Sequence, residues 1–159
     1  MNIFYFDSDL VVAAQYMCNK HVVKMPTETA QLLCSAHHIL DGPKDGLYRL
    51  THKNHPSSVW VRSSSGNYKW AYAHFVALCE EYTYRYGKVH ASETKLKTLL
   101  KSLPSNIIEG DFYEPPLVMP DYCKCDNAID SYRKCYIMEK KSFAKWSIRS
   151  EPEWWSCMM

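Results

Sequence analysis

Apolar residues recur at near-helical spacing along most of the chain. The longest stripe runs from about residue 67 to 86 and stops at Gly87, a residue type that commonly follows the last turn of a helix. Similar stripes follow Asp9 and Asp126, and a shorter leucine-rich stripe follows Ser92. Asp and Ser are typical capping residues at helix starts. The pattern therefore predicts an all-α protein whose longest helix ends near Gly87.

The first part of the chain carries two irregular features. Residues 2 to 6, NIFYF, are a short apolar run that could form one strand or an apolar plug at the N-terminus. The helix expected after Asp9 should continue to Pro26, where proline should kink or restart it. Gly42 and Pro43 should end the segment that follows.

Two stretches without helical periodicity predict connections between helices. Residues 41 to 56 are polar and lead into a helix that a serine could cap, whereas residues 104 to 125 contain four prolines and should wrap over the surface. A length of 159 residues suits one hydrophobic core. We therefore expect a compact single-domain helical bundle over residues 1–150, followed by a C-terminal tail over residues 151–159.

Composition narrows the functional classes. The net charge of +2 is too small for a protein that binds DNA tightly through a global positive field, so a nucleic-acid contact would rest on a local patch. No apolar run is long enough for a membrane span, and the start of the chain does not look like a secretory signal. We expect a cytoplasmic protein, located in the host cell if it is viral, with no membrane association.

The seven cysteines form an odd set and suggest reduced thiols. Cys123 and Cys125 with Cys135 do not make the paired CxxC pattern of a zinc site, and His52 with His55 would need a third ligand. We therefore expect no metal and no cofactor.

One helical segment places three reactive groups on one face. His21, Lys24 and Glu28 lie at positions i, i+3 and i+7, so an imidazole, an amine and a carboxylate follow one another along the helix. A carboxylate can stabilise an oxocarbenium-like centre, and an amine can form a Schiff base. The same spacing also suits a solvated face on which Lys24 and Glu28 form an ordinary i,i+4 pair.

A second polar group follows at the loop before the next helix. Histidine, asparagine, arginine and aromatic side chains near a loop-to-helix junction could hold a phosphate at the helix N-terminus and stack a base. An ordinary polar loop is an equal alternative. The candidate binding residues are His52, Lys53, Asn54, His55, Trp60, Arg62, Asn67 and Tyr68. We expect the loop and the face carrying His21, Lys24 and Glu28 to converge on one pocket.

The order of these features resembles a known family. A helix with Gln15, Lys24 and Glu28, then an Asn-His-Pro loop at residues 54 to 56, then a long helix is similar to the small all-helical pyrimidine-dimer DNA glycosylases of bacteriophage type. The resemblance covers roughly residues 1 to 90. The segments CNKHVVKM, THKNHPSSVW and EEYTYRYGK also resemble a tailed-phage protein of no assigned activity.

The resemblance implies a compact helical fold, a duplex DNA substrate, base excision, and strand cleavage through a Schiff base on the N-terminal amine of the processed chain. Glu28 is the match for the catalytic carboxylate, and Gln15 for a substrate contact. The sequence departs from the family at Asn2, because this residue type normally leaves the initiator Met in place. The amine on residue 2 is therefore expected to be absent.

These observations lead to one hypothesis and two rivals. The main hypothesis is a phage-type DNA-processing protein with Glu28 as carboxylate, Lys24 as nucleophile or phosphate contact, and His21 as proton carrier. The first rival is a noncatalytic protein that binds a nucleotide, a modified base or a host factor. The second is an interaction protein that presents Trp154 and Trp155. The oligomeric state is left open.

Overall fold

The computed structural model describes residues 2–157 and confirms the all-α fold class. No strand occurs within that range, and none of its helices is long and apolar enough to cross a membrane. The described residues form seven α-helices and one 3₁₀ turn: α1 Leu10–Tyr16, α2 Asn19–Asp41, α3 Pro56–Ser63, α4 Ser65–Tyr86, α5 Ala91–Lys101, the 3₁₀ turn Asp121–Cys123, α6 Ala128–Lys140 and α7 Glu153–Cys157.

Several helix ends lie where the sequence predicts them. The Asp9 side chain accepts hydrogen bonds from the backbone N–H groups of Val11 and Val12 and so caps α1. Gly42 follows the last residue of α2, and Gly87 follows the end of α4 with a left-handed φ of 68°. A glycine adopts that conformation without steric cost, which explains why the longest helical stripe stops there.

The expected single helix from Asp9 to Pro26 is wrong in two respects. The chain is extended at Met17 and Cys18, where the Cys18 N–H donates to Tyr136 Oη at 3.0 Å. Helix α2 then begins at Asn19 and continues through Pro26, which is buried inside it. The break therefore comes from a tertiary hydrogen bond, and the proline neither ends nor restarts the helix.

The alternative of an N-terminal strand is also wrong. Residues 2 to 6 form no ladder, and Phe4 has a positive φ of 56°, a conformation that a regular strand does not contain. Ile3, Phe4, Tyr5 and Phe6 are all buried. This segment therefore behaves as the apolar plug that was the other interpretation.

Helices α2 and α4 pack against each other and organise the core. One cluster of buried residues surrounds Leu33, Phe75 and Leu96, where α2, α4 and α5 meet. The other surrounds Phe6 and Tyr136 and joins the N-terminal plug to α6 and α7. The second cluster forms the base of the site described below.

The described part of the C-terminal segment, residues 151–157, packs into the core, unlike the trailing tail that was expected over residues 151–159. Over the described part, α7 places Trp154 and Trp155 at 8% and 5% exposure, so they are not presented to a partner. Residues 158 and 159 lie outside the described residues. The aromatic pair that looked exposed in sequence instead packs against Phe6 and Tyr136.

A buried ionic network fastens this C-terminal segment to the first helices. Arg85 Nε lies 2.7 Å from Glu81 Oε1, and Arg149 Nε lies 3.0 Å from the same oxygen. Arg85 also donates to the Gln15 carbonyl at 2.8 Å and to Asn19 Oδ1 at 3.2 Å. Arg85 of α4 thus holds the start of α2, and Arg149 joins the segment after α6 to the same network.

Candidate active site

A pocket of about 290 Å³ lies between the first half of α2 and helix α6. One wall carries His21, Lys24 and Glu28, so the three groups that the sequence placed on one helical face do line one pocket. The remaining lining residues come from the N-terminal plug, from residues 118–120 and from α6: Asn2, Phe4, Met25, Val118, Met119, Pro120, Tyr132, Cys135, Tyr136, Glu139 and Lys140.

Lys24 and Glu28 form an ion pair at the pocket, with Nζ and Oε1 3.0 Å apart. The Lys24 side chain is 59% exposed, whereas that of Glu28 is only 16% exposed. The spacing thus produces the ordinary i,i+4 pair and a pocket wall at the same time. A carboxylate held in this wall can stabilise positive charge on a bound ligand, and the amine can contact a phosphate or attack a carbon centre.

His21 is held tightly at the base of the pocket. Its Nδ1 lies 2.7 Å from Tyr136 Oη, and its ring stacks on Phe4 with centroids 4.7 Å apart. Burial lowers the pKa of His21 to about 4, and the positive charges of Lys140, Lys24 and Lys20 add to the effect. At neutral pH the imidazole is therefore uncharged.

Helix α6 supplies the facing wall, which sequence reasoning missed. Tyr132 and Tyr136 belong to the stripe after Asp126, which predicted a helix and nothing about what that helix faces. Burial raises the pKa of Tyr136 well above its ordinary value, so its hydroxyl keeps its proton. Glu139, which accepts a hydrogen bond from Tyr122 Oη, adds a second carboxylate to the lining. The i,i+4 spacing of the two tyrosines gave no indication that α6 faces α2.

The loop before α3 serves chiefly to start that helix. His55, not a serine, is the N-cap, and its Nδ1 accepts from the Ser57 N–H at 3.1 Å. His52 has a φ of 48°, and Arg62 donates to the Lys53 carbonyl at 2.7 Å, which ties the loop to α3. His55 and Arg62 are thus engaged in hydrogen bonds that shape the loop and the start of α3.

None of the loop residues lines the pocket between α2 and α6. Burial lowers the pKa of His55, and the charge of His52 lowers it further, whereas the Glu28 carboxylate acts in the opposite direction. His55 therefore lies within electrostatic range of Glu28. Asn54 lines a different depression of about 400 Å³ beside Tyr113. A single site that joins loop and pocket stays a prediction.

Three of the proposed binding residues belong to the core instead. Trp60 is 3% exposed and its Nε1 donates to the Tyr113 carbonyl at 2.9 Å, while Asn67 is fully buried between the Trp60 carbonyl and the Tyr113 N–H. Tyr68 is also fully buried and donates to the Leu100 carbonyl at 2.7 Å. Because they lie on the inner faces of α3 and α4, they cannot stack a base in this conformation. Gln15 lies on α1, outside the pocket.

The described residues contain no group of three or more His, Cys, Asp or Glu side chains arranged to hold a metal ion. All seven cysteines are free thiols.

Comparison with known proteins assigns the family. A family model for pyrimidine dimer DNA glycosylases matches residues 1–94, more than half of the chain. The chain belongs to this family. The matched stretch contains the pocket wall with His21, Lys24 and Glu28, whereas α6 lies beyond it. Neither a search of curated proteins nor one of solved structures finds a match. Family membership indicates a glycosylase-like protein that acts on DNA.

Proposed function

We propose that this protein removes a damaged or modified base from DNA in the pocket between α2 and α6. The observation that carries the proposal is the Lys24–Glu28 ion pair in the wall of a pocket that also contains the aromatic side chains of Phe4, Tyr132 and Tyr136. The pair lies within the stretch that matches the glycosylase family. A flipped-out base needs apolar and aromatic surroundings, and the sugar that it leaves needs a nearby carboxylate.

Glu28 is the proposed catalytic carboxylate. Breaking the bond between sugar and base leaves positive charge on the sugar carbon, and a carboxylate held in a pocket wall stabilises that charge without reorganising. The Lys24 amine at 3.0 Å keeps the Glu28 side chain directed along the wall.

Lys24 is the proposed second functional group, as a Schiff-base nucleophile or as a contact to DNA phosphate. The family precedent is an amine at the chain start, and Met1 lies outside the described residues. Asn2 lines the same pocket, with its Oδ1 accepting from the Ile3 N–H at 2.7 Å. Lys24 and the chain start are therefore the two amines to be compared by experiment.

The rim of the pocket suits a negatively charged polymer. Lys24 and Lys140 line the pocket. Burial is the main cause of the lowered pKa of His21, and the charges of Lys140, Lys24 and Lys20 lower it further, so all three lysines lie near this ring. A local cluster of three lysines can bind a few phosphates although the net charge is only +2. We expect binding that is weak to moderate and that falls steeply as salt concentration rises.

The first experiment measures release of a base from duplex DNA that contains a pyrimidine dimer. Glu28→Gln should lower turnover by about 10²–10⁴-fold with little change in DNA affinity, because the amide keeps the shape and loses the charge. Glu93→Gln is the matched control, since Glu93 also forms an i,i+4 ion pair, with Lys97 on α5, and does not line the pocket. Equal activity of the two variants would refute the role of Glu28.

The second experiment uses borohydride to trap protein on DNA with an abasic site, followed by digestion and mass spectrometry of the adduct. An adduct on the Lys24 peptide that Lys24→Arg abolishes and Lys97→Arg preserves would identify Lys24 as the nucleophile. An adduct on the N-terminal peptide would assign the family's terminal amine instead. Base release without an adduct would leave Lys24 the role of phosphate contact.

The rival function is a noncatalytic nucleotide- or host-factor-binding protein. Its signature would be saturable DNA binding with no base release and no adduct on damaged, modified or abasic substrates. In that case Lys24→Ala should weaken binding, whereas Glu28→Gln should have a modest effect. Phage origin and a cytoplasmic site of action are expectations for either function, and a host partner is an expectation for the rival one.

A further inference from the structure

The hydrogen bonds around Tyr136 fix the position of one proton. The Tyr136 oxygen lies 3.0 Å from the Cys18 backbone nitrogen and 2.7 Å from His21 Nδ1. A backbone N–H can only donate, so the oxygen accepts at Cys18. Tyr136 is 1% exposed and its hydroxyl keeps its proton. If Nδ1 also donated, the Tyr136 proton would be left with only the thiol sulfur of Cys18, a weak acceptor, which is costly at a buried site.

The hydroxyl of Tyr136 therefore donates to Nδ1 of His21. A neutral imidazole carries one proton, and with Nδ1 acting as acceptor that proton is on Nε2. Stacking on Phe4 and an edge contact with Phe143, whose centroid is 5.7 Å away, hold the ring in place. Within residues 2–157 no group forms a hydrogen bond with Nε2, and His21 lines the pocket.

We propose that His21 is an uncharged hydrogen-bond donor whose Nε2–H binds a carbonyl oxygen of the base in the pocket, and that Tyr136 is its positioning residue. This inference rests on the proposed function and replaces the expected role of proton carrier. It also names a ligand class. A pyrimidine has a carbonyl oxygen beside the nitrogen that bears the sugar, and adenine has none.

The chemistry balances without a proton from the imidazole. The electron pair of the bond between the sugar carbon and the base nitrogen leaves with the base, and the negative charge spreads onto the adjacent carbonyl oxygen. The Nε2–H of His21 stabilises that charge as a fixed donor. Water, or Lys24 after its ammonium group has given one proton to solvent, forms the new bond to the sugar carbon and then loses a proton to Glu28. The departing base anion then takes a proton from solvent.

Two substitutions at His21 separate a donor from a proton carrier. His21→Gln places an amide N–H near the position of Nε2 and has no useful basicity, whereas His21→Phe keeps a ring and has no donor. A donor role predicts that the first variant retains base release to within about tenfold and that the second loses about 10²–10³-fold. If both folded variants lose activity equally, the donor role is refuted.

The positioning role of Tyr136 is tested by Tyr136→Phe, with Tyr72→Phe as control. Tyr72 on α4 also uses its hydroxyl in a tertiary hydrogen bond, a partly buried one to the Lys97 carbonyl of α5 at 2.7 Å, and does not line the pocket. Tyr136→Phe should lower kcat about threefold to tenfold, the equivalent of one hydrogen bond, with little change in KM. A change in KM alone, or no change relative to Tyr72→Phe, would overturn the role.

A measurement that needs no turnover is ¹⁵N NMR of the wild-type protein, which reports the tautomer of His21 directly. We expect a neutral ring protonated on Nε2 at neutral pH, and a shift of that N–H resonance when duplex DNA containing a pyrimidine dimer is added. A ring protonated on Nδ1, a cationic ring, or no shift with bound DNA would overturn the inference. If the tautomer and the shift are as expected but no base is released, the proposed enzymatic function is refuted, whereas the role of His21 as a hydrogen-bond donor stands.

Discussion

Glu81→Gln should destabilise the protein strongly. The Glu81 side chain is 3% exposed and faces two guanidinium groups, and that of Arg85 is only 1% exposed. Removing one partner of a buried ion pair typically costs about 3–5 kcal/mol, because the other charge is left uncompensated. Arg85 keeps its bonds to the Gln15 carbonyl and Asn19, so we expect the lower end, about 3 kcal/mol. For a chain of this length that corresponds to a fall in Tm of about 6–12 °C.

The assay is thermal and urea denaturation followed by circular dichroism, with Glu80→Gln as the matched control. Glu80 is the preceding residue on α4 and is exposed, so its variant should lie within about 0.5 kcal/mol of the parent. Arg149→Ala should cost less than Glu81→Gln, because Arg149 is 30% exposed and Glu81 retains Arg85. If Glu81→Gln has the same Tm as the Glu80→Gln control, the ionic network is not what holds the C-terminal segment in place.

Three further outcomes follow from other parts of the structure. Burial lowers the pKa values of His21 and His74 from 6.5 to about 4, so between these pH values the unfolded chain binds more protons than the folded one. The free energy of unfolding should therefore fall as the pH drops from 6.5 to 4, by up to about 1.4 kcal/mol per pH unit for each histidine. In His21→Gln the fall should be less steep. Trp154→Ala should cost about 3–5 kcal/mol in urea denaturation, and an unchanged midpoint would restore the view of a loose tail. Gly66→Ala should cost about 1–3 kcal/mol, because its Cβ would lie 2.3 Å from the Phe112 backbone nitrogen, and parental stability would contradict that close approach.

Local patterns in the sequence predicted local structure well. The apolar stripe and Gly87 located the end of α4, and Asp9 located the start of α1, because caps act within one or two turns. The spacing of Lys24 and Glu28 likewise predicted their ion pair. Each of these features depends on residues fewer than about five positions apart, a range over which helical geometry alone decides.

Features that depend on distant contacts were not accessible in this way. The hydrogen bond between His21 and Tyr136 joins residues 115 positions apart, so no spacing rule could place α6 opposite α2. Trp60 was read as a stacking residue because it follows a polar loop, yet the inner face of α3 buries it. The sequence therefore identified the chemical groups of one wall and could not say which groups face them.

The two walls of the pocket also reach their places at different times. Ribosomes deliver residues 21–28 long before residues 132–140, and until α6 and α7 arrive, Phe6 lacks the cover that Tyr136 and Trp154 provide. A growing chain must therefore carry exposed aromatic surface through most of its synthesis, the state in which partly folded chains aggregate most readily. A fragment ending at residue 94 would contain the carboxylate and the amine and have no cavity in which to use them.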